Sequence, residues 1–161
     1  MPQWTLFEND FRAIDAVLTE LLERTNALSV HLVDRSGQLI TSSGRAADFD
    51  VIAFASLIAA DFTANAELAS LLGDRELDAV VSEGPMRSVH SNLLAGRVIL
   101  STVFDRRSSL GLVRFRAKRA TTELDRLFRR LFDKAGIIEP ATVVPEFAEA
   151  AGREVDALFG E

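Results

Sequence analysis

His31 and His90 are the chain's two histidines and its first candidates for chemistry. An imidazole can hold a metal or move a proton near neutral pH. A zinc site needs several converging donors, and neither histidine has a companion at ligand spacing. Both read as structural residues of strands. The chain has no cysteine, which removes disulfides, thiolate metal sites and thiol nucleophiles. The acidic pairs Glu20–Glu23 and Asp74–Glu76 read as solvated faces, not acid–base dyads. There is no P-loop, no GxGxxG and no GxSxG. No residue set supplies a nucleophile, a base and an orienting group together. No cofactor or metal is expected, and the residues point to binding, not catalysis.

Two basic groups remain. Arg114, Arg116 and Lys118 alternate along "LGLVRFRAK", which reads as a strand with a cationic stripe that Arg119 extends. That face either meets an acidic partner or stands in solvent. Arg126, Arg129, Arg130 and Lys134 follow, with Arg106 and Arg107 before them. These read as the wet side of a helix and a loop.

Composition limits what these residues can belong to. The chain has 161 residues, 48% of them hydrophobic, which suits one domain with a real core. The net charge of −6 argues against general nucleic-acid binding. No apolar run reads as reaching the ~20 residues that span a bilayer, so membrane insertion is not expected. "MPQWTLFEND" reads as no signal peptide, and a cytoplasmic protein is expected.

The elements that must position these residues are legible from periodicity. Phe7, Phe11, Ile14, Leu18, Leu21 and Thr25 lie three and four apart, which predicts a helix over about residues 6–25. Val30, Leu32 and Ile40 predict a hairpin turning at Asp34 and Gly37. Such a hairpin suits small sensor and scaffold domains alike. Asp48 or Asp50 then caps a helix that runs to Leu72 and stops at Gly73.

This second helix is unusual. Val51, Phe54, Ile58, Phe62 and Leu72 form one apolar stripe; Leu57, Ala60, Ala64, Leu68 and Leu71 form another. A surface helix should show one stripe and a broad polar face. Either this one is an Ala-rich core helix, or it covers a sheet with one face and meets another chain with the other. A domain this small seldom encloses six helical turns, which favours a subunit interface.

Strands are expected over residues 77–94, as one long strand kinked at Pro85, and over 97–104 after a tight turn at Ala95-Gly96. "LGLVRFRAK" is read as the last strand. A third helix carries Leu124, Leu127, Phe128, Leu131 and Phe132 and ends near Gly136. The expected order is α-β-β-α-β-β-β-α in an α+β domain. Residues 1–136 are read as the domain. Residues 137–161 are read as a Pro-containing linker and an acidic segment with Phe147, Val155, Leu158 and Phe159 on one stripe. So short a helix is marginal alone and would order on docking.

This order, with "LVDRSGQLITSSG", "FASLIAADFTANAELASLLGD", "SEG", "VFDRRSSLGLVRFRAK" and "ELDRLF", resembles the roadblock/dynein-light-chain superfamily over about residues 7–134. More narrowly it resembles the MglB family, bacterial partners of the Ras-like GTPase MglA. The resemblance implies a five-stranded antiparallel sheet with helices on both faces. It also implies a homodimer in which second helices lie side by side and sheets join. The implied activity is activation of GTP hydrolysis in a GTP-bound MglA-like protein, serving cell polarity and gliding motility at a cell pole. The family supplies no arginine finger and acts by fixing the GTPase's switch loops. Interface positions carry over to Ala59, Ala60, Thr63, Ala64 and Glu67 on the outer face of helix two. Glu67 departs from the small residue usual there. Phe147, Val155, Leu158 and Phe159 would anchor a tail that docks on the GTPase.

Two other readings compete. One is a dimeric roadblock scaffold that recruits a GTPase or polarity protein without accelerating hydrolysis. The other is a PAS-like small-molecule sensor, which would need a pocket carrying polar groups. The expected core positions show no polar cluster of that kind.

Overall fold

The computed structural model describes residues 8–136. In chain order the elements are α1 (Glu8–Thr25), β1 (Ser29–Asp34), β2 (Leu39–Gly44), α2 (Val51–Leu71), β3 (Val80–Glu83), β4 (Ser88–Leu94), β5 (Val98–Phe104) and α3 (Leu110–Ala135). The expected linker and tail, including Phe147, Val155, Leu158 and Phe159, lie outside the described residues.

The strands form one sheet in the order β2-β1-β5-β4-β3, and every neighbouring pair is antiparallel. Alternation along β1 and β5 gives the sheet two apolar faces. Val30, Leu32, Val98 and Leu100 meet Ile14, Leu18 and Leu21 of α1 and Leu124, Phe128 and Leu131 of α3. Val33 and Ile99 point the other way and meet Ala55, Ala59 and Phe62 of α2. Helices therefore cover both faces, and the expected order of elements is the one that forms.

Two strands are not where the periodicity puts them. "LGLVRFRAK" is the first third of α3, not a strand. Ser109 caps it, accepting a hydrogen bond from the Leu112 N–H at 3.2 Å. Val113 and Ala117 are buried, and the stripe continues at spacings of three and four through Ala120, Leu124, Leu127 and Leu131. Positions four apart share a strand's parity as well as a helix's face, so a segment this short could not separate the two periods. The cationic stripe is thus helical.

The long third strand is instead a hairpin of β3 and β4. Gly84 N–H donates to the Arg87 carbonyl at 2.9 Å, and Glu83 pairs with Ser88. Pro85 sits in the turn, where it has no ladder bond to break. At the next turn Ala95 and Gly96 both have positive φ, 50° and 72°, as a two-residue hairpin of this hand requires. Asp125 of α3 holds that turn by accepting the Ala95 N–H at 2.7 Å.

Candidate functional site

α2 is set on the sheet by its start and by one narrow stripe. Asp50 caps it, its carboxylate accepting the N–H groups of Ile52 at 3.0 Å and Ala53 at 3.1 Å. Ala55, Ala59, Phe62 and Ala69 are the buried residues. Three alanines around one phenylalanine let the helix sit close over Val33 and Ile99.

The opposite side is apolar too. Ala53, Leu57, Ala60, Ala64, Leu68 and Leu71 recur at spacings of four and three, and all six are exposed. Leu57, Leu68 and Leu71 are 68%, 54% and 83% open to solvent. Full burial of such a side chain is worth about 1.5–3 kcal/mol. This is a contiguous apolar face without a partner among the described residues. Asp61 and Glu67 are the helix's two charged residues. Asp61 is engaged by Asn65, whose Nδ2 donates to its carbonyl at 2.8 Å and to Oδ1 at 3.0 Å.

Ala60, Thr63, Ala64 and Glu67 all lie on the exposed side, as the family pattern implies. Ala59 does not. It is 5% exposed and belongs to the core under the helix. The five carried-over positions share one arc of about 140° on the helix, and Ala59 stands at its edge, next to the buried stripe of Ala55 and Phe62. By length and composition, α2 also reaches what a bilayer span needs, contrary to the reading of the runs. Asp61 and Glu67 interrupt the run, which hid it. Its seating over Val33 and Ile99 makes it a sheet-covering helix here.

The two histidines do not meet. His31 pairs with Ser101 of β5 and His90 with the next residue, Thr102, so they stand on opposite faces of the sheet. His31 lies under α2, its Nε2 2.9 Å from Ser29 Oγ and its ring 4.8 Å from that of Phe54. Burial lowers its pKa to about 4, so it is neutral at pH 7. His90 lies on the α3 side with neither ring nitrogen hydrogen-bonded. Burial, and then the nearby Arg114 charge, lower its pKa.

The core is more polar than its sequence suggested. Ser29, His31, His90, Ser91, Asn92, Ser101 and Thr102 are all buried on the three central strands. A cleft of about 530 Å³ opens beside His90 and Asn92, between β4, residues 76–79 and the first half of α3. Short strands that bury alternate Ser, Thr and His positions look half-exposed in sequence. Only the two-sided covering of the sheet reveals them as interior.

A further exposed feature went unread. The side chain of Phe115, 55% exposed, stands between two guanidinium groups. Arg116 and Arg119 lie 5.5 and 5.8 Å from its ring centre, within cation–π range. Reading this segment as a strand placed Arg116 and Phe115 on opposite faces.

No protein-family model matches the chain, and no curated protein sequence matches it. Solved structures do. The chain is 41% identical to Myxococcus xanthus MglB over 75% of its own length and 91% of that chain, with a TM-score of 0.71. It is 29% identical to the gliding protein MglB from Thermus thermophilus, covering 73% of this chain and 90% of that one, with a TM-score of 0.68. A roadblock/LC7 domain from Streptomyces avermitilis shares the fold at 16% identity and a TM-score of 0.64, over 71% of this chain and 97% of that one. With the α2-over-sheet architecture and a 41% identical match that spans 91% of the Myxococcus chain, this protein belongs to the MglB family of the roadblock superfamily.

Proposed function

We propose that the chain is a homodimeric regulator of a small Ras-like GTPase of the MglA type, itself without an active site. The observation that carries this is the second apolar face of α2, which packs on nothing among the described residues. Leu57, Leu68 and Leu71 supply the burial a subunit contact needs. Ala60, Thr63 and Ala64 are small enough to admit a partner's loops close to the helix backbone. β3 is an edge strand whose Val80 packs against the cluster under α2, and its outer row of backbone groups pairs with no strand among the described residues, so a second copy could add there.

The GTPase would be engaged in its GTP-bound form and accelerated by positioning of its own switch loops. Fixing the GTPase's own catalytic groups can supply several powers of ten without any residue from the regulator. Glu67 lies exposed on α2. It favours the second reading, a scaffold that recruits the GTPase without accelerating it, since a carboxylate there would face an anionic nucleotide site.

Single-turnover GTP hydrolysis by the MglA-type GTPase, with and without this protein, separates the two. Acceleration that is lost in Ala64→Arg supports activation. Binding without acceleration, restored by Glu67→Ala, supports the scaffold. Absence of binding in any nucleotide state overturns both.

A further inference from the structure

The charges of α3 divide along its length. Toward its end the cations are paired: Arg130 and Lys134 with Asp10, and Arg129 with Asp125. Earlier in the helix, between residues 114 and 126, Arg114, Arg116, Lys118, Arg119 and Arg126 form no ion pair among the described residues. Phe115 and Leu112, 55% and 37% exposed, stand among them. The patch is therefore an apolar centre among cations, on the face of the domain away from α2, with Glu20 and Glu123 lining the groove beside Arg116 and Arg119.

The complementary charge lies in the same chain. Residues 137–161 contain six carboxylates and one arginine, and so hold five of the six excess negative charges. The stretch after Pro145 interleaves Glu146, Glu149 and Asp156 with Phe147, Leu158 and Phe159. The reach is sufficient. Pro145 follows Gly136, the C-cap of α3, by nine residues, which extend to about 30 Å. Phe115 lies 21 residues back along the helix from Gly136, or about 32 Å.

We propose that residues 146–161 dock on the first half of α3 of their own dimer, with Phe147, Leu158 or Phe159 against Phe115 and the carboxylates facing Arg116, Lys118 and Arg119. The tail is then stored on the side of the sheet opposite α2. It leaves the α2 face open, and any partner that takes the tail must compete for it.

The chain has no cysteine, so Ala157→Cys gives a single attachment point for a nitroxide on the full-length protein. Amide signals of isotope-labelled α3 from Arg114 to Arg126 should lose intensity several-fold. The signals should recover in ~1 M salt, where the screening length falls to about 3 Å. They should also recover in the Arg116→Glu, Arg119→Glu double variant. Circular dichroism of that variant reports whether it folds; if it does not, Phe115→Ser serves as the second probe. Broadening centred on α2, broadening indifferent to salt and charge reversal, or no broadening on the domain would overturn the proposal. So would α3 signals that respond to phosphatidylserine vesicles while ignoring the tag, because the patch would then be a lipid-surface site.

Discussion

Arg130 Nη2 donates to Asp10 Oδ1 at 3.0 Å, tying the first turns of α1 to the end of α3 across 120 positions of sequence. Lys134 Nζ completes the triad with Oδ2 at 3.1 Å. The Lys134 hydrogen bond, and then that of Arg130, hold the Asp10 carboxyl below its ordinary pKa, although burial opposes them. A depressed carboxylate stabilises above its unfolded pKa and stops doing so as pH falls through the folded value. Both cations are about half exposed, so Asp10→Ala should cost only about 1–2 kcal/mol at pH 7. Urea unfolding should show that difference shrinking toward pH 2–3. An equal penalty at both pH values would sink the assignment.

His31 should make acid stability steeper. Its folded pKa of about 4 lies below the ordinary 6.5, so below about pH 6.5 the unfolded chain takes up a proton that the folded chain refuses. Stability is complete above that range. It falls by roughly 1.4 kcal/mol per pH unit from this group until pH nears 4. In His31→Gln the slope between those pH values should decrease, as read by denaturation at several pH values.

Gly44 should not tolerate a side chain. Its φ is +113°, and a Cβ there would lie 2.6 Å from the Leu28 carbonyl oxygen and 2.8 Å from Ser29 Cα. Both obstacles are backbone. Gly44→Ala should lose at least about 2 kcal/mol, and an unchanged melting temperature would contradict the geometry. Gly73, also at positive φ but with nothing near its Cβ position, is the milder control.

Self-association through α2 should be visible by light scattering at micromolar concentration as twice the chain mass. Leu68→Asp, at a 54% exposed position, should yield a folded monomer. A wild-type monomer would remove the dimer from the proposal.

The Asp48–Arg87 pair should matter little. Arg87 donates to both carboxylate oxygens, at 2.8 and 2.6 Å, and holds Asp48 at a pKa of about 2. Both groups are solvent-exposed, so the Coulomb gain is screened. Arg87→Ala should leave the midpoint of denaturation nearly unchanged. A large loss would mean that the loop before α2 depends on this tie.

Residues with one unambiguous period were legible in sequence: the α1 stripe at Ile14, Leu18 and Leu21, the Asp34–Gly37 turn and the two stripes of α2, while the cap of α2 was narrowed to Asp48 or Asp50. Alternation along "LGLVRFRAK" misled because Val113 and Ala117 satisfy both periods, and only the cap at Ser109 decides between them. Pro85 misled because a proline in a turn and a proline at a kink are alike in sequence. Ala59 was misplaced because a family's interface positions give no inward direction. Phe115 was invisible as a surface feature until its helix was known. Which strands neighbour which, and so which polar residues are interior, depended on tertiary pairing.

The strand order has a kinetic consequence. β1 and β2 form one local unit and β3, β4 and β5 another, each joined by short turns. The two units meet only along β1 and β5, where Ser29 pairs with Val103 and Asp34 with Val98. About 65–75 intervening residues, including all of α2, must be drawn in before that seam closes, and long loops close slowly. α1 and α3 lie across the same seam and cannot finish packing until it forms. Refolding should therefore be limited by the sheet's centre. Ile99→Val should slow refolding, while Val81→Ala in the outer hairpin should mainly speed unfolding. The middle of the finished sheet is then the last part of it to be made.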